Sequence, residues 1–292
     1  MKIATAAYPL DWLDSWGQYE DKLAAWVADA AGQGADLLVF PEYGAMELST
    51  LDGADVAADL QASISAVSER MEDVAALHQR LAAEFNVYIL GSSAPVRAEF
   101  DLPVNRAEFY SPCGARDHQD KQIMTLFERD PWAIGSGGPL KLFDTALGKI
   151  GVLICYDSEF PLLGRALNEA DILLVPSCTE ALAGYWRVRI GAMARALEGQ
   201  CVTAQSSIVG TAPWSTSVEV NVGTGGIFGP PDTGFPATGV LAEGQIGQPG
   251  WTLAEVDLKT IAEVRTTGVV RNRSHWPEQD QRIKTSRILM KQ

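Results

Sequence analysis

The stretch Gly148-Lys149-Ile150-Gly151-Val152-Leu153-Ile154-Cys155-Tyr156-Asp157-Ser158-Glu159-Phe160-Pro161 decides how the chain is read. Its apolar run, residues 150–154, is of the kind that forms a short strand buried on both faces. The run ends at Cys155, and polar residues and a proline follow. The end of a buried strand is the rim of a sheet, where open α/β folds hold their ligands. A thiol at that rim is a candidate nucleophile, provided that a neighbour takes its proton or favours its charge.

Outward from this stretch, strands and helices alternate. Patterning predicts strands over 3–7, 36–40, 87–90, 106–110, 172–175, 202–207 and 253–256, and helices over 20–31, 67–85, 162–169 and 185–197. A Gly/Pro-rich segment, 223–250, carries hairpin and loop signals. One internal echo stands out: Gly34-Ala35-Asp36-Leu37-Leu38-Val39-Phe40-Pro41-Glu42 resembles Glu169-Ala170-Asp171-Ile172-Leu173-Leu174-Val175-Pro176-Ser177. Two similar βαβ halves would explain it, and so would the common form of α/β strands.

With 292 residues, 47% of them apolar, and no long polar linker, the chain is expected to form one domain, residues 1–276, with a basic tail over 277–292 at a subunit interface. Trp276 is a candidate anchor for that tail. A net charge of −14 argues against nucleic acid and anionic membrane as partners, because both call for clustered Lys and Arg. No apolar run approaches membrane-spanning length, and the first residues lack the basic-then-apolar form of a signal peptide. A cytoplasmic location is expected. The four cysteines, Cys113, Cys155, Cys178 and Cys201, show no CxxC pairing and read as reduced thiols.

Three strand-end features could converge. Glu42 follows Pro41, which cannot donate to a ladder, so the strand should stop there and the carboxylate project past its edge. Lys121 lies in Asp120-Lys121-Gln122, after the strand over 106–110. Cys155 is the third. A glutamate can take a thiol proton, and a lysine can hold the charge of a tetrahedral oxyanion, so the three together make an acyl-transfer site without histidine. Each alone has an ordinary reading: a solvated turn carboxylate, a surface ion pair, a small buried hydrophobe.

On these residues the chain resembles the nitrilase, or carbon–nitrogen hydrolase, superfamily. The motifs that carry the resemblance are Leu38-Val39-Phe40-Pro41-Glu42, Asp120-Lys121-Gln122 and the run from Gly151 to Pro161, in that order. The resemblance implies a four-layer α-β-β-α sandwich with Cys155 as nucleophile, Glu42 as general base and Lys121 as oxyanion stabiliser. It implies a second active-site glutamate, for which Glu128 fits best, and an oxyanion contact from the Tyr156 N–H. Ser177, Cys178 and Thr179 could line the pocket. Arg187, Arg189 and Arg195 read as structural or interfacial, with Arg195 and Glu198 spaced as an i,i+3 pair. Dimers or larger assemblies are implied, with no metal and no organic cofactor.

Within the superfamily, an amidase acting on a small linear amide or N-carbamoyl compound is expected, with a nitrilase or an N-acyltransferase as alternatives. The segment 124–129 together with 157–161 resembles a poorly characterised branch, sometimes fused to an acetyltransferase domain. From the length, neither such a fusion nor a domain coupling a glutaminase to a synthetase is expected. Three other readings compete. A Cys–His hydrolase would need a histidine base: His118 is the serious candidate, His78 reads as an exposed helix residue, and His275 is the third. A zinc site on the four cysteines fits no structural zinc spacing. A catalytically silent binding or scaffold protein would keep the fold without turnover.

Overall fold

A computed structural model of the chain describes residues 1–290, so the last two residues of the expected tail, 291 and 292, lie outside the described residues. The strands are β1 (Lys2–Pro9), β2 (Leu37–Val39), β3 (Tyr88–Leu90), β4 (Ala94–Val96), β5 (Val104–Tyr110), β6 (Arg116–Asp120), β7 (Leu142–Thr145), β8 (Gly148–Val152), β9 (Ile172–Ser177), β10 (Val202–Thr211), β11 (Val220–Asn221), β12 (Gly226–Phe228), β13 (Val240–Glu243) and β14 (Gly250–Glu255). The α-helices are α1 (Trp16–Gly32), α2 (Ala54–Ala58), α3 (Leu60–Ser68), α4 (Met71–Phe85), α5 (Leu126–Arg129), α6 (Pro161–Ala166), α7 (Leu182–Gly199), α8 (Leu258–Thr267) and α9 (Asn272–Gln279).

The sheet runs β4-β5-β3-β2-β1-β10-β9-β8-β7, with β6 on β5 and β14 on β1. Its two halves meet where β1 and β10 pair in parallel at Ala7 and Ser207. Side chains alternate across β1 and β2 as a pleat requires. Ala4, Ala6, Tyr8 and Leu38 face one core with α1 and α4, through Leu23, Val27, Val74 and Leu81. Ile3, Leu37 and Val39 face the opposite way, into a core shared with Ile150, Val152, Ile172 and Leu174 of the other half. Helix α7 adds Val188, Ala192 and Ala196 to that second half. The order is helix, sheet, sheet, helix: the curled α/β sandwich that the motifs implied.

The segments of the internal echo occupy matching places, since β2 lies next to β1 and β9 next to β10. Their aspartates do the same work. Asp36 Oδ2 accepts the Lys2 N–H at 2.7 Å, and Asp171 Oδ2 accepts the Lys149 N–H at 3.0 Å, each tying a strand start to its neighbour.

Some elements differ from expectation. The helix over 67–85 is two helices, α3 and α4. They break at Glu69 and Arg70, where the Arg70 N–H reaches back three residues to Val67 O and its guanidinium bonds Asp52. Helix α1 starts earlier than expected, at Trp16, because the Ser15 side chain caps it by accepting the Gln18 N–H. His78 is buried rather than exposed: its ring stacks on Tyr110, 5.0 Å between centroids, and Nδ1 lies 2.9 Å from Val74 O. Helix α9 runs across the expected domain edge at 276, and the Arg165 guanidinium packs over Trp276 at 5.7 Å. No helix among the described residues is long and apolar enough to cross a membrane.

Candidate active site

Strand β8 stops at Val152, and Leu153 still pairs with β9 through its N–H to Leu174 O. Cys155 then takes φ 51°, a left-handed conformation that costs a side-chain-bearing residue about 1 kcal/mol. The chain turns there into a 3₁₀ turn, Cys155–Glu159, and Pro161 opens α6 at a position suited to a residue without an N–H. The thiol is therefore held on a sharp strand-to-helix elbow. Ser158 Oγ donates to Cys155 O at 2.7 Å, and Arg195 Nη1 donates to Ser158 O at 3.1 Å, which fixes the turn from α7.

Glu42 leaves β2 through Phe40 and Pro41, and Tyr43 after it takes φ 57°. Lys121 follows β6 directly, its N–H bonded to Asn105 O at 2.9 Å. Glu128 lies on α5, whose first turn is a capping box: Thr125 Oγ1 accepts the Glu128 N–H while Glu128 Oε2 accepts the Thr125 N–H. These three loops bring their side chains together. Lys121 Nζ lies 2.7 Å from Glu42 Oε1 and 2.8 and 2.7 Å from the two oxygens of Glu128. Glu42 Oε1 also accepts Asn105 Nδ2 at 2.9 Å, and its Oε2 accepts the Cys178 N–H at 3.0 Å. Tyr43 OH donates to Glu128 Oε1 at 2.7 Å. Glu42, Lys121 and Glu128 are all buried.

Two carboxylates share one ammonium out of water, so their charges do not cancel. Burial works against the Lys121 charge, but Glu42 and Glu128 outweigh it and hold the ammonium well above the ordinary lysine value. Glu128 is held below the usual carboxylate range because Lys121, the Thr125 N–H and Tyr43 overcome its burial. Glu42 is pushed up, by burial first, with Lys121 opposing and Glu128 assisting. Cys155 is pushed well above an ordinary thiol by burial and by Glu42, against the pull of Lys121. The thiol is thus held neutral beside a base of raised proton affinity. That is the arrangement for handing over a proton as sulfur attacks.

The other expected residues have separate surroundings. Cys178 O accepts the Cys155 thiol at a long 3.8 Å, and Cys178 Sγ lies 3.4 Å from Asn221 Oδ1. Ser177 spends its hydroxyl inside the sheet on Ser206 O and Ser207 Oγ. Thr179 Oγ1 donates to Val222 O. The Tyr156 ring packs edge-on against Phe160 at 4.8 Å. Arg195 pairs with Glu198 at 3.0 Å, at the expected spacing. His118 faces Asp117, Asp120 and Lys141 on β6, and the titratable neighbours that shift Cys155 are Glu42 and Lys121, not a histidine.

Four residues were not singled out from the sequence. Asn105 holds Glu42, and Tyr43 holds Glu128. Trp132 is buried on the Tyr43 ring at 4.5 Å, with no partner for its indole N–H among the described residues. Asp157, two residues after Cys155, accepts the backbone N–H groups of Gln122 and Ile123. Burial raises its carboxyl to about 7, although Lys121 and those amides pull it down. Asp157 alone lay inside a motif that was read. The other contacts join residues far apart in sequence.

A carbon–nitrogen hydrolase family model matches residues 2–266. A probable hydrolase, YhcX, of Bacillus subtilis is 32% identical over 274 residues, 93% of this chain and 52% of that protein. The chain spans about half the length of the curated relatives it matches. Among solved structures, Nit3 of Saccharomyces cerevisiae, a member of branch 10 of the nitrilase superfamily, superposes with a TM-score of 0.70 at 21% identity, over 91% of this chain and 93% of that one. The amidase of Nesterenkonia sp. AN1, solved as a point mutant with acrylamide added to its active-site cysteine, gives 0.63 at 21% identity, over 91% and 96%. The two solved structures share the sandwich. The family match itself runs from the first residue of β1 into the last turn of α8, and the chain belongs to the carbon–nitrogen hydrolase family of enzymes.

Proposed function

We propose that the protein is an amidase, hydrolysing a small linear amide or N-carbamoyl compound through a thioester on Cys155. The observation that carries this reading is the buried cluster in which Lys121 bridges Glu42 and Glu128 beside the Cys155 elbow. Glu42 takes the thiol proton as sulfur bonds the carbonyl carbon, and the carbonyl π pair moves onto oxygen. Lys121 Nζ and the Tyr156 N–H receive that oxyanion, Glu128 keeping the ammonium charged and in place. The tetrahedral intermediate collapses, and the nitrogen leaves with the proton that Glu42 carried. Glu42 then deprotonates a water, which attacks the thioester. Sulfur leaves, regains its proton, and the carboxylic acid departs.

Ser177, Cys178 and Thr179 belong to the pocket-side end of β9 in this reading, Cys178 through its N–H on Glu42. The catalytic unit runs from residue 1 to the end of α9, just past the expected edge at 276. The protein self-associates through α7, where Leu182, Trp186 and Ile190 stand at four-residue spacing, 50, 44 and 63% exposed. Four cysteines without a disulfide support a reducing, cytoplasmic setting.

The test is ammonia release from small amides, carbamoyl compounds and nitriles, with Cys155→Ala in parallel. Release from amides by the wild type alone is expected. Preference for a nitrile would make the protein a nitrilase. Acyl transfer to an added amine in place of hydrolysis would make it an N-acyltransferase. Equal release by both proteins would remove Cys155 from the reaction, and a folded protein whose Cys155 resists alkylation would be the silent scaffold.

A further inference from the structure

Asp157 is fully buried, and among the described residues no Lys, Arg or His forms an ion pair with it. A buried carboxylate without a cation is costly, and a neutral side chain would serve folding better. Its oxygens instead accept the Gln122 N–H, at 3.2 and 3.1 Å, and the Ile123 N–H at 2.9 Å. Gln122 and Ile123 follow Lys121 in the chain, and Asp157 follows Cys155 by two residues. These bonds join the segment that carries the ammonium to the turn that carries the thiol. The turn does not need them for its own shape. The Asp157 N–H bonds Ile154 O, Ser158 bonds Cys155 O, and Arg195 bonds Ser158 O, none of which uses the Asp157 carboxylate.

We propose that Asp157 is a positioning residue, its carboxylate clamping the Lys121 segment to the Cys155 turn so that ammonium and sulfur meet the same carbonyl group. The inference rests on the reading of Lys121 as the oxyanion cation. A lysine side chain has four rotatable torsions, so the position of its Cα sets where Nζ can reach. An asparagine weakens the clamp: its Oδ1 can still accept both N–H groups, but its NH₂ would face the Gln122 N–H where Oδ2 now accepts it, and the charge is gone.

Two reactions of the same thiol separate a clamp from a general structural role. Acylation of Cys155 by p-nitrophenyl acetate passes through a tetrahedral oxyanion, whereas alkylation by iodoacetamide makes none. Both rates are measured for the wild type, Lys121→Ala, Asp157→Asn and Asp157→Glu, with Cys155→Ala as the blank and circular dichroism to confirm folding. Asp157→Asn is expected to slow acylation by about tenfold to a hundredfold while alkylation stays within about threefold; Lys121→Ala also withdraws the charge that favours the thiolate, so both its rates fall, acylation by more than alkylation. Asp157→Glu keeps the charge but displaces it, and is expected to fall between. It carries the comparison alone if Asp157→Asn does not fold. An unchanged acylation rate in the Asp157 variants, or equal loss in both reactions, overturns the clamp while leaving Lys121 in its role. An unchanged ratio in Lys121→Ala, or no wild-type acylation above the blank, overturns the reading of the site and the clamp with it.

Discussion

Asn105 Nδ2 lies 2.9 Å from Glu42 Oε1, the oxygen that Lys121 also holds, and this neutral donor shares with the ammonium the work of aiming the base. A hydrogen bond to a charged group is worth about 1.5–3 kcal/mol. Asn105→Ala should therefore lower kcat by about tenfold or more. Asn105→Asp adds a third carboxylate beside Glu42, whose proton affinity is already raised by burial and by Glu128. Like charge disfavours ionisation, so the acid limb of kcat/KM moves to higher pH. An acid limb that stays in place in Asn105→Asp would show that Glu42 is not the group titrating there.

The opposite shift is expected from Glu128→Gln. The Glu128 charge is one of the causes that push Glu42 up, so its removal lets Glu42 ionise at lower pH. The acid limb moves down while kcat falls, because Lys121 loses the partner that sets its place with two oxygens. The measurement is the pH profile of ammonia release for wild type and variant. A fall in kcat with an upward shift would contradict this account of the electrostatics.

Glu42 and Cys155 were legible because each stands where a strand runs out, punctuated in the sequence by proline or an abrupt change to polar residues; Lys121 was legible through Asp120-Lys121-Gln122 and its order between the other two. Asn105 was not, because it lies inside β5 and its contact with Glu42 comes from the pairing of distant strands. Strand β6, Arg116–Asp120, has no apolar residue at all: it pairs only with β5, and its buried Gln119 and Asp120 are satisfied by hydrogen bonds to Pro139, Lys141, Gly138 and Arg106. Alternation cannot report a strand of that kind. The break between α3 and α4 was hidden for the converse reason, since the buried positions Val67, Met71 and Val74 keep helical spacing straight through it.

His78 misled the sequence reading because one polar residue on an amphipathic helix is normally assigned to the solvent side. Its burial lowers its pKa to about 4, from an ordinary value near 6.5. Between these values the unfolded chain binds the proton and the native chain does not. The contribution is fully present above pH ~6.5 and is lost as pH falls towards ~4, to a total of about 3 kcal/mol. Urea unfolding at a series of pH values should show stability declining through this window, and His78→Gln should decline less steeply. Equal slopes would mean that the imidazole is not held neutral in the native state.

The α7 face is the other feature whose role depends on what lies outside a single chain. Its inner side is committed to the core through Val188, Ala192 and Ala196. Its outer side shows Leu182, Trp186 and Ile190 on one stripe, and Leu162 on α6 is 72% exposed. Single exposed apolar residues need no explanation, but a row of three at helical spacing is the pattern of a helix that packs on something. The acidic chain, at −14, would resist self-association through charge, so apolar contact has to supply the attraction. Ile190→Glu places a carboxylate in the middle of the stripe without touching the inner face. Sedimentation velocity should find the wild type as a dimer or larger and Ile190→Glu as a monomer, with the cysteine still open to alkylation. A wild type that sediments as a monomer, or a variant that keeps the wild-type mass, would assign the face some other role.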